Sequence, residues 1–223
     1  SDVVAATPYS VTIEVPSIID GKYSDSRSIV VEWSTVPTDL AIEVSIDQNE
    51  WIEMSGTSWL VEAPSDGEFT VYVRAIGGSH IESATITVDT AAPTIAEKTP
   101  TGSDESPGTP VTVTFSETMN MASVSLVIDS VDGTIAWSGN TATFTPSERL
   151  IGNSEYTVTV NGKDLAGNDL EETTWSFTTA NVGTVSGAVV DDDGQPVAGA
   201  TVTLGSRTAT TDADGGYHFD DIA

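Results

Sequence analysis

"VTVTFSETMN", residues 111–120, decides the architecture. Val111, Val113 and Phe115 alternate with threonines, so apolar side chains fall on one face of an extended segment and hydroxyls on the other. β-Branched and aromatic residues suit such a pleated, half-buried surface. The run stops at Ser116, and an acid, Glu117, stands where the strand gives way to a Met119-Asn120-Met121 loop. A carboxylate in that position is open to three readings: a catalytic acid, a metal ligand, or turn chemistry.

The same period of two recurs in both directions along the chain. "SVTIEVP" places Val11, Ile13 and Val15 on one face, "IVVEW" does so with Ile29, Val31 and Trp33, and "LAIEVSI" with Leu40, Ile42, Val44 and Ile46. "FTVYVRA" and "ATITV" continue the pattern. "VDTAAPTI", residues 88–95, closes this first block, with Pro93 imposing an extended backbone. In the second block strands are expected at Val111–Phe115, Val124–Ile128, Thr134–Trp137, Thr141–Thr145, Glu155–Val160 and Thr174–Thr179. A third block follows with "TVSGAVV", "GATVTL", "RTATT" and "YHFDDI". Gly, Pro, Asp and Ser separate most of these runs, and no segment keeps a helical period. Short strands at regular spacing predict an all-β chain of antiparallel sandwiches.

The chain has 223 residues, with 34 acidic and 7 basic side chains and a formal charge of -27. Nucleic acid and anionic lipid need Lys and Arg to neutralise phosphates, so this balance argues against both and suits cationic partners. All three blocks share the acidic excess, which is therefore not a disordered tail. With no Cys there is no disulfide framework and no thiolate metal site. No apolar run approaches the roughly 18–20 residues that span a bilayer. Ser1 opens without a signal peptide, as a mature or excised chain would.

The residues "PTIAEKTPTG", "VTVTFSETMN", "GNTATFTPSERL", "SEYTVTVNGKDLAGNDL" and "TTWSFTT" give the second block a close resemblance to prokaryotic Ig-like modules of the Big_5 type. Thr118 departs from a proline common in such modules. "VSGAVVDDDGQPVAGATVTL" followed by "TATTDADGGYHFDDI" resembles the front half of the carboxypeptidase-regulatory-like β-sandwich. The first block, through "VEWS", "DGEFTVYVRA" and "ESATITVDTAAPTI", is similar to Ig or fibronectin-III-like repeats of prokaryotic surface proteins. These resemblances imply tandem Ig-like sandwiches arranged as beads on a string. Their expected bounds are 1–92, 93–180 and an incomplete third sandwich over 181–223. They also imply an extracellular or cell-surface, non-catalytic role as spacer, adhesive, S-layer or filament-forming modules. An accessory or carbohydrate-binding segment of a larger extracellular hydrolase is the alternative. Tyr156 of "SEYTVTV" is placed for a tyrosine corner, and Phe69 holds the corresponding place in the first block without a hydroxyl.

His80 and His218 lie in different blocks without metal-ligand spacing, and no nucleophile elbow or phosphate loop occurs. Lys22, Lys98 and Lys163 have no marked partner for an isopeptide bond. "DADGGY" and "DDDGQP" fail as EF-hand loops: counting from Asp212, the sixth and twelfth places hold Tyr217 and Ala223, and from Asp191 they hold Pro196 and Val202. Asp-Gly turns are the expected reading. Trp33, Trp137 and Trp175 fall in strand patterns and are expected in the core, whereas Trp51 and Trp59 are the candidates for a carbohydrate platform.

In an Ig-type sandwich the loops after the second and sixth strands share one end with the incoming chain. That should gather Asp89, Glu117, Asp164, Asn168 and Asp169 at the junction of the first two modules. Clustered carboxylates repel unless something neutralises them, and a hard cation wants several oxygens. Inter-module calcium is thus the expected metal, against an alternative in which "DLAGN" is a self-bonded turn. The third block, with Val185, Val189, Val202, Leu204 and Phe219 as candidate core, is expected to leave an open strand edge for self-association, with the "SDVVAATPYSVTIEV" start as a possible donor.

Overall fold

A computed structural model describes residues 9–222. It contains only strands and turns among those residues, and no helix long and apolar enough to cross a membrane. The first eight residues of the proposed strand donor lie outside the described residues.

The first sandwich pairs a three-stranded sheet with a five-stranded one. The smaller sheet runs β1 (Ser10–Glu14), β3 (Ser28–Val36), β6 (Ser58–Glu62). The larger runs β2 (Tyr23–Ser24), β8 (Ile81–Val88), β7 (Gly67–Ala75), β4 (Ile42–Ser45), β5 (Ile52–Met54). The period-two residues are its core: Ile29, Val31, Trp33, Val44, Phe69, Val71, Val73 and Ile86 are all buried. Each is inward-facing because a one-residue slip would turn the whole apolar set to solvent. β2 is the exception to antiparallel pairing, running parallel to β8 with Tyr23 opposite Thr87.

The second sandwich has a four-stranded sheet of β12 (Gly133–Ser138), β13 (Thr141–Pro146), β10 (Val111–Phe115) and β9 (Ile95–Thr99). Its other sheet is β11 (Ser125–Ile128), β14 (Glu155–Lys163), β15 (Asp169–Thr178). Phe115 is 2% exposed and stacks on Trp137 at 5.8 Å between centroids, so β10 lies at the centre of this core. β14 and β15 run further than their alternation indicates, leaving only residues 164–168 between them.

The Tyr156 corner is formed: its hydroxyl accepts a hydrogen bond from the Ile151 N–H at 2.7 Å, and its ring stacks on Phe177 at 5.7 Å. Tyr156→Phe should cost about 1 kcal/mol, the net worth of one such bond, read as a shift of the urea midpoint at constant slope. No shift would show that the ring alone holds the corner.

In the third block β16 (Gly183–Ala188) pairs with β19 (Gly216–Ile222), and β17 (Thr201–Leu204) with β18 (Arg207–Thr210). Of its candidate core, Phe219 is buried and Val189, Val202 and Leu204 are half-buried, but Val185 is 37% exposed, since β16 has only β19 beside it. The two acidic turns behave as turns. Asp191 Oδ1 accepts the Asp193 and Gln195 N–H groups, and Asp212 Oδ1 those of Asp214 and Gly216.

By compactness the chain groups into two units. One comprises residues up to Thr94 together with Ser116–Val124 and Asn161–Glu171; the other holds Ile95–Phe115, Ser125–Val160 and Glu172 onward. The loops that follow β10 and β14 thus belong with the first block, and the candidate site lies wholly in that unit.

Candidate metal centre

Three elements deliver the site. Asp89 follows β8, where its N–H is held by Ser24 O at 2.9 Å. Glu117 follows β10, two residues past the buried Phe115. Asp164 follows β14 and forms an isolated bridge with Met119. The loops carrying the last two are stitched together by Asn120 N–H to Lys163 O at 2.9 Å and Lys163 N–H to Ser123 Oγ at 2.9 Å.

The linker after β8 is bonded along its length. The Thr90 N–H and hydroxyl both reach the Asp66 carboxylate, the Ala91 N–H reaches Asp89 Oδ1 at 3.0 Å, and Thr94 and Ser116 exchange bonds. Asn168 Nδ2 closes the arrangement by donating to Asp89 O at 2.9 Å and to Asp164 Oδ2 at 2.8 Å. Gly167 has φ +102°, a backbone conformation that favours glycine.

Asp89, Glu117 and Asp164 each offer a carboxylate oxygen within 4.8 Å of the other two. Two oxygens that share one calcium at about 2.4 Å can be no more than about 4.8 Å apart, so the spacing fits the ion. The donors are all oxygen, which suits a hard cation over zinc or copper. Burial pushes the Glu117 carboxyl above the usual glutamate range; the charges of Asp89 and Asp164, and a hydrogen bond to Asp89, push it the same way.

Asp164 is 2% exposed. Its Oδ1 accepts the Gly167 and Asn168 N–H groups at 2.7 and 2.9 Å. Asp164 thus serves both in the self-bonded turn expected of "DLAGN" and in the carboxylate cluster. Asp169 stands apart from the cluster: it is exposed and pairs with Lys163 Nζ at 2.6 Å, as the first residue of β15. Asn120 spends its Oδ1 on the Ala122 N–H within its own turn.

The tryptophan candidates do not share a sheet. Trp59 lies in β6 opposite Val31 and packs against the first core, while Trp51 precedes β5, with the Arg74 guanidinium 3.7 Å above its ring. Arg74 is itself held by Glu43 at 2.7 Å. Trp175 donates to Pro100 O at 2.8 Å. His80 and His218 each pair with one exposed carboxylate, Glu82 and Asp220, two residues on. The ammonium groups of Lys22 and Lys98 lie over the rings of Tyr23 and Trp175.

Residues 89–179 match the family model of the bacterial Ig-like domain, and residues 184–223 that of the carboxypeptidase regulatory-like domain. No curated protein matches the chain. Among solved structures, the fibronectin(III)-like modules of Clostridium thermocellum CbhA are similar at 11% identity and TM-score 0.42, covering 76% of this chain and 94% of that one. A C-terminal fragment of intimin, solved with the intimin-binding domain of its translocated receptor, aligns at 12% identity and TM-score 0.41, over 79% of this chain and 66% of that one. An L,D-transpeptidase from Mycobacterium smegmatis aligns at 25% identity and TM-score 0.32, and the chain spans only 42% of its length. The chain is a tandem of Ig-like β-sandwiches, with a bacterial Ig-like domain second and a carboxypeptidase regulatory-like segment third.

Proposed function

We propose that this chain is a non-catalytic structural or adhesive segment of a secreted or cell-surface prokaryotic protein, and that calcium binds it through Asp89, Glu117 and Asp164. The observation that carries the reading is the linker after β8, which is hydrogen-bonded along its length and meets two loops at three converging carboxylates. A cation there would relieve the repulsion within the cluster and tie three segments distant in sequence. Asn168 braces the cluster from beside it, its Nδ2 donating to Asp164 Oδ2 and to Asp89 O. The matched families are generally non-catalytic modules, which supports a spacer, S-layer or filament role. Self-association through the two-stranded sheets of the third block belongs to the same reading.

The purified chain should leave glycan and peptide substrates unchanged, and should retain calcium in native mass spectra while Glu117→Gln does not. Turnover abolished by Glu117→Gln would instead make Glu117 a catalytic acid. A second reading, an accessory carbohydrate-binding segment of a hydrolase, is favoured only by Trp51 on its sheet's outer side; it requires saturable glycan binding that Trp51→Ala abolishes.

A further inference from the structure

A sheet edge presents a row of unpaired N–H and C=O groups, and proteins guard such edges with charge, proline or short length. Most described edges of the two sandwiches follow this rule. Glu14 stands in β1, Glu62 in β6, Glu97 and Lys98 in β9, and Glu171 and Glu172 in β15, while β2, β5 and β11 have only two, three and four residues.

β12 does not follow it. Gly133-Thr134-Ile135-Ala136-Trp137-Ser138 has neither an ionisable side chain nor a proline, and every residue but Trp137 is exposed. It is the longest uncharged edge in these sheets. Ile135 stands opposite the buried Phe144, hence on the inward face, yet is 39% exposed, so apolar surface continues to the open edge.

A second, independent feature adjoins the start of that strand. A cavity of about 410 Å³ is lined by the apolar residues Val131, Leu150 and Tyr156 and by the acidic residues Asp129, Asp132 and Glu148. Hydrogen bonds fix its walls: Val131 N–H to Ile128 O at 3.1 Å, Ser147 N–H to Asp132 O at 2.8 Å, and Ile151 N–H to the Tyr156 hydroxyl at 2.7 Å. Arg149 also lines it, and one guanidinium against three carboxylates leaves negative charge in excess. An alkyl stem ending in a cation matches this lining, with the stem on the apolar wall and the head among the acids.

We propose that β12 and this cavity form a docking site for an extended basic segment of a partner protein, which adds as a strand beyond β12 and seats a Lys or Arg side chain among Asp129, Asp132 and Glu148. Main-chain hydrogen bonds along the edge supply affinity, and the cavity supplies specificity. Antiparallel addition is the more stable pairing, so the basic residue follows the partner's strand and meets the Gly133 end of β12. Charge selects the occupant. A chain of net charge -27 steers cationic segments inward, whereas a second copy brings the same negative charge to the same edge.

The test uses the full chain and a peptide of alternating Thr and Val ending in a lysine amide. Hydrogen exchange should slow at alternate amides within 133–138 on peptide addition. Replacing the lysine by norleucine, or the chain by Asp132→Asn/Glu148→Gln, should weaken binding about tenfold, as should a rise in salt. Both variant positions are exposed, so melting should be unchanged and the loss attributable to the site. Absence of protection at 133–138 overturns the proposal. Equal affinity for the lysine and norleucine peptides overturns it too, as does a dimer that sediments through the β12 edge, which would put a second copy where the peptide should bind.

Discussion

Asp164→Ala is expected to destabilise the chain by about 2–4 kcal/mol, because bonds to a charged acceptor are each worth about 1.5–3 and a buried donor left alone costs about 1–3. Three hydrogen bonds are lost at once: those from the Gly167 and Asn168 N–H groups and one from Asn168 Nδ2. Asp164 is 2% exposed, so water does not readily replace its oxygens. Asn168 would also lose one of the two acceptors that orient it toward Asp89. One effect opposes the loss: removing a negative charge relieves Glu117, whose carboxyl feels Asp164 directly. Asp164→Asn separates the two, since it keeps the shape and one acceptor oxygen while discarding the charge. The alanine variant should therefore unfold at clearly lower urea than the asparagine variant. Coincident midpoints would mean that the carboxylate is not what holds the 164–168 turn.

That double duty shows how far the sequence can be read. "KDLAGNDL" announces a turn through Asp, Gly and Asn, and the Ig-type topology brings it to the β8 end, so Asp89, Glu117, Asp164 and Asn168 could be placed together in advance. The removal of Asp169 could not. It depends on β15 starting at that residue and on Lys163 ending β14, a pairing set by register and not by either segment alone. The strands that alternation reveals, such as β3, β7 and β10, each bury one whole face. β2 and β5, two and three residues long, are too short to show a period, and β9 has no fully buried residue from which to read one. Trp59 lies in "SWLVE", an edge strand whose pairing with β3 involves residues roughly thirty positions earlier, which no local pattern shows. The unguarded character of β12 is likewise invisible until its position at the sheet edge is known.

Calcium at about a hundred times its dissociation constant is expected to raise stability by about 2.7 kcal/mol at neutral pH, by mass action on the native state alone. The pH dependence of that gain is fixed by Glu117. Burial first, then the charges of Asp89 and Asp164, hold its carboxyl above the usual value, so the native state keeps this proton more tightly than the unfolded chain does. Without calcium, the contribution of Glu117 is most favourable below its unfolded pKa of about 4.3 and declines as pH rises toward the higher folded value. Above that value the penalty of a charged Glu117 beside two other carboxylates is fully present. Calcium acts in the opposite sense, since it requires the deprotonated ligand and releases the proton on binding. Its stabilising effect should thus be large at pH 7 and fade as pH falls through the folded pKa of Glu117. The chain carries 34 acidic side chains, so the difference between the native chain and Glu117→Gln isolates this one. The glutamine variant should be the more stable of the two at pH 7 with chelator present, and should gain nothing from calcium. Scanning calorimetry at pH 7 and pH 4, with calcium and with chelator, reads all of these differences. Identical melting of the native chain with and without calcium at pH 7 would remove the ion from the cluster and leave Asp164 with its turn alone.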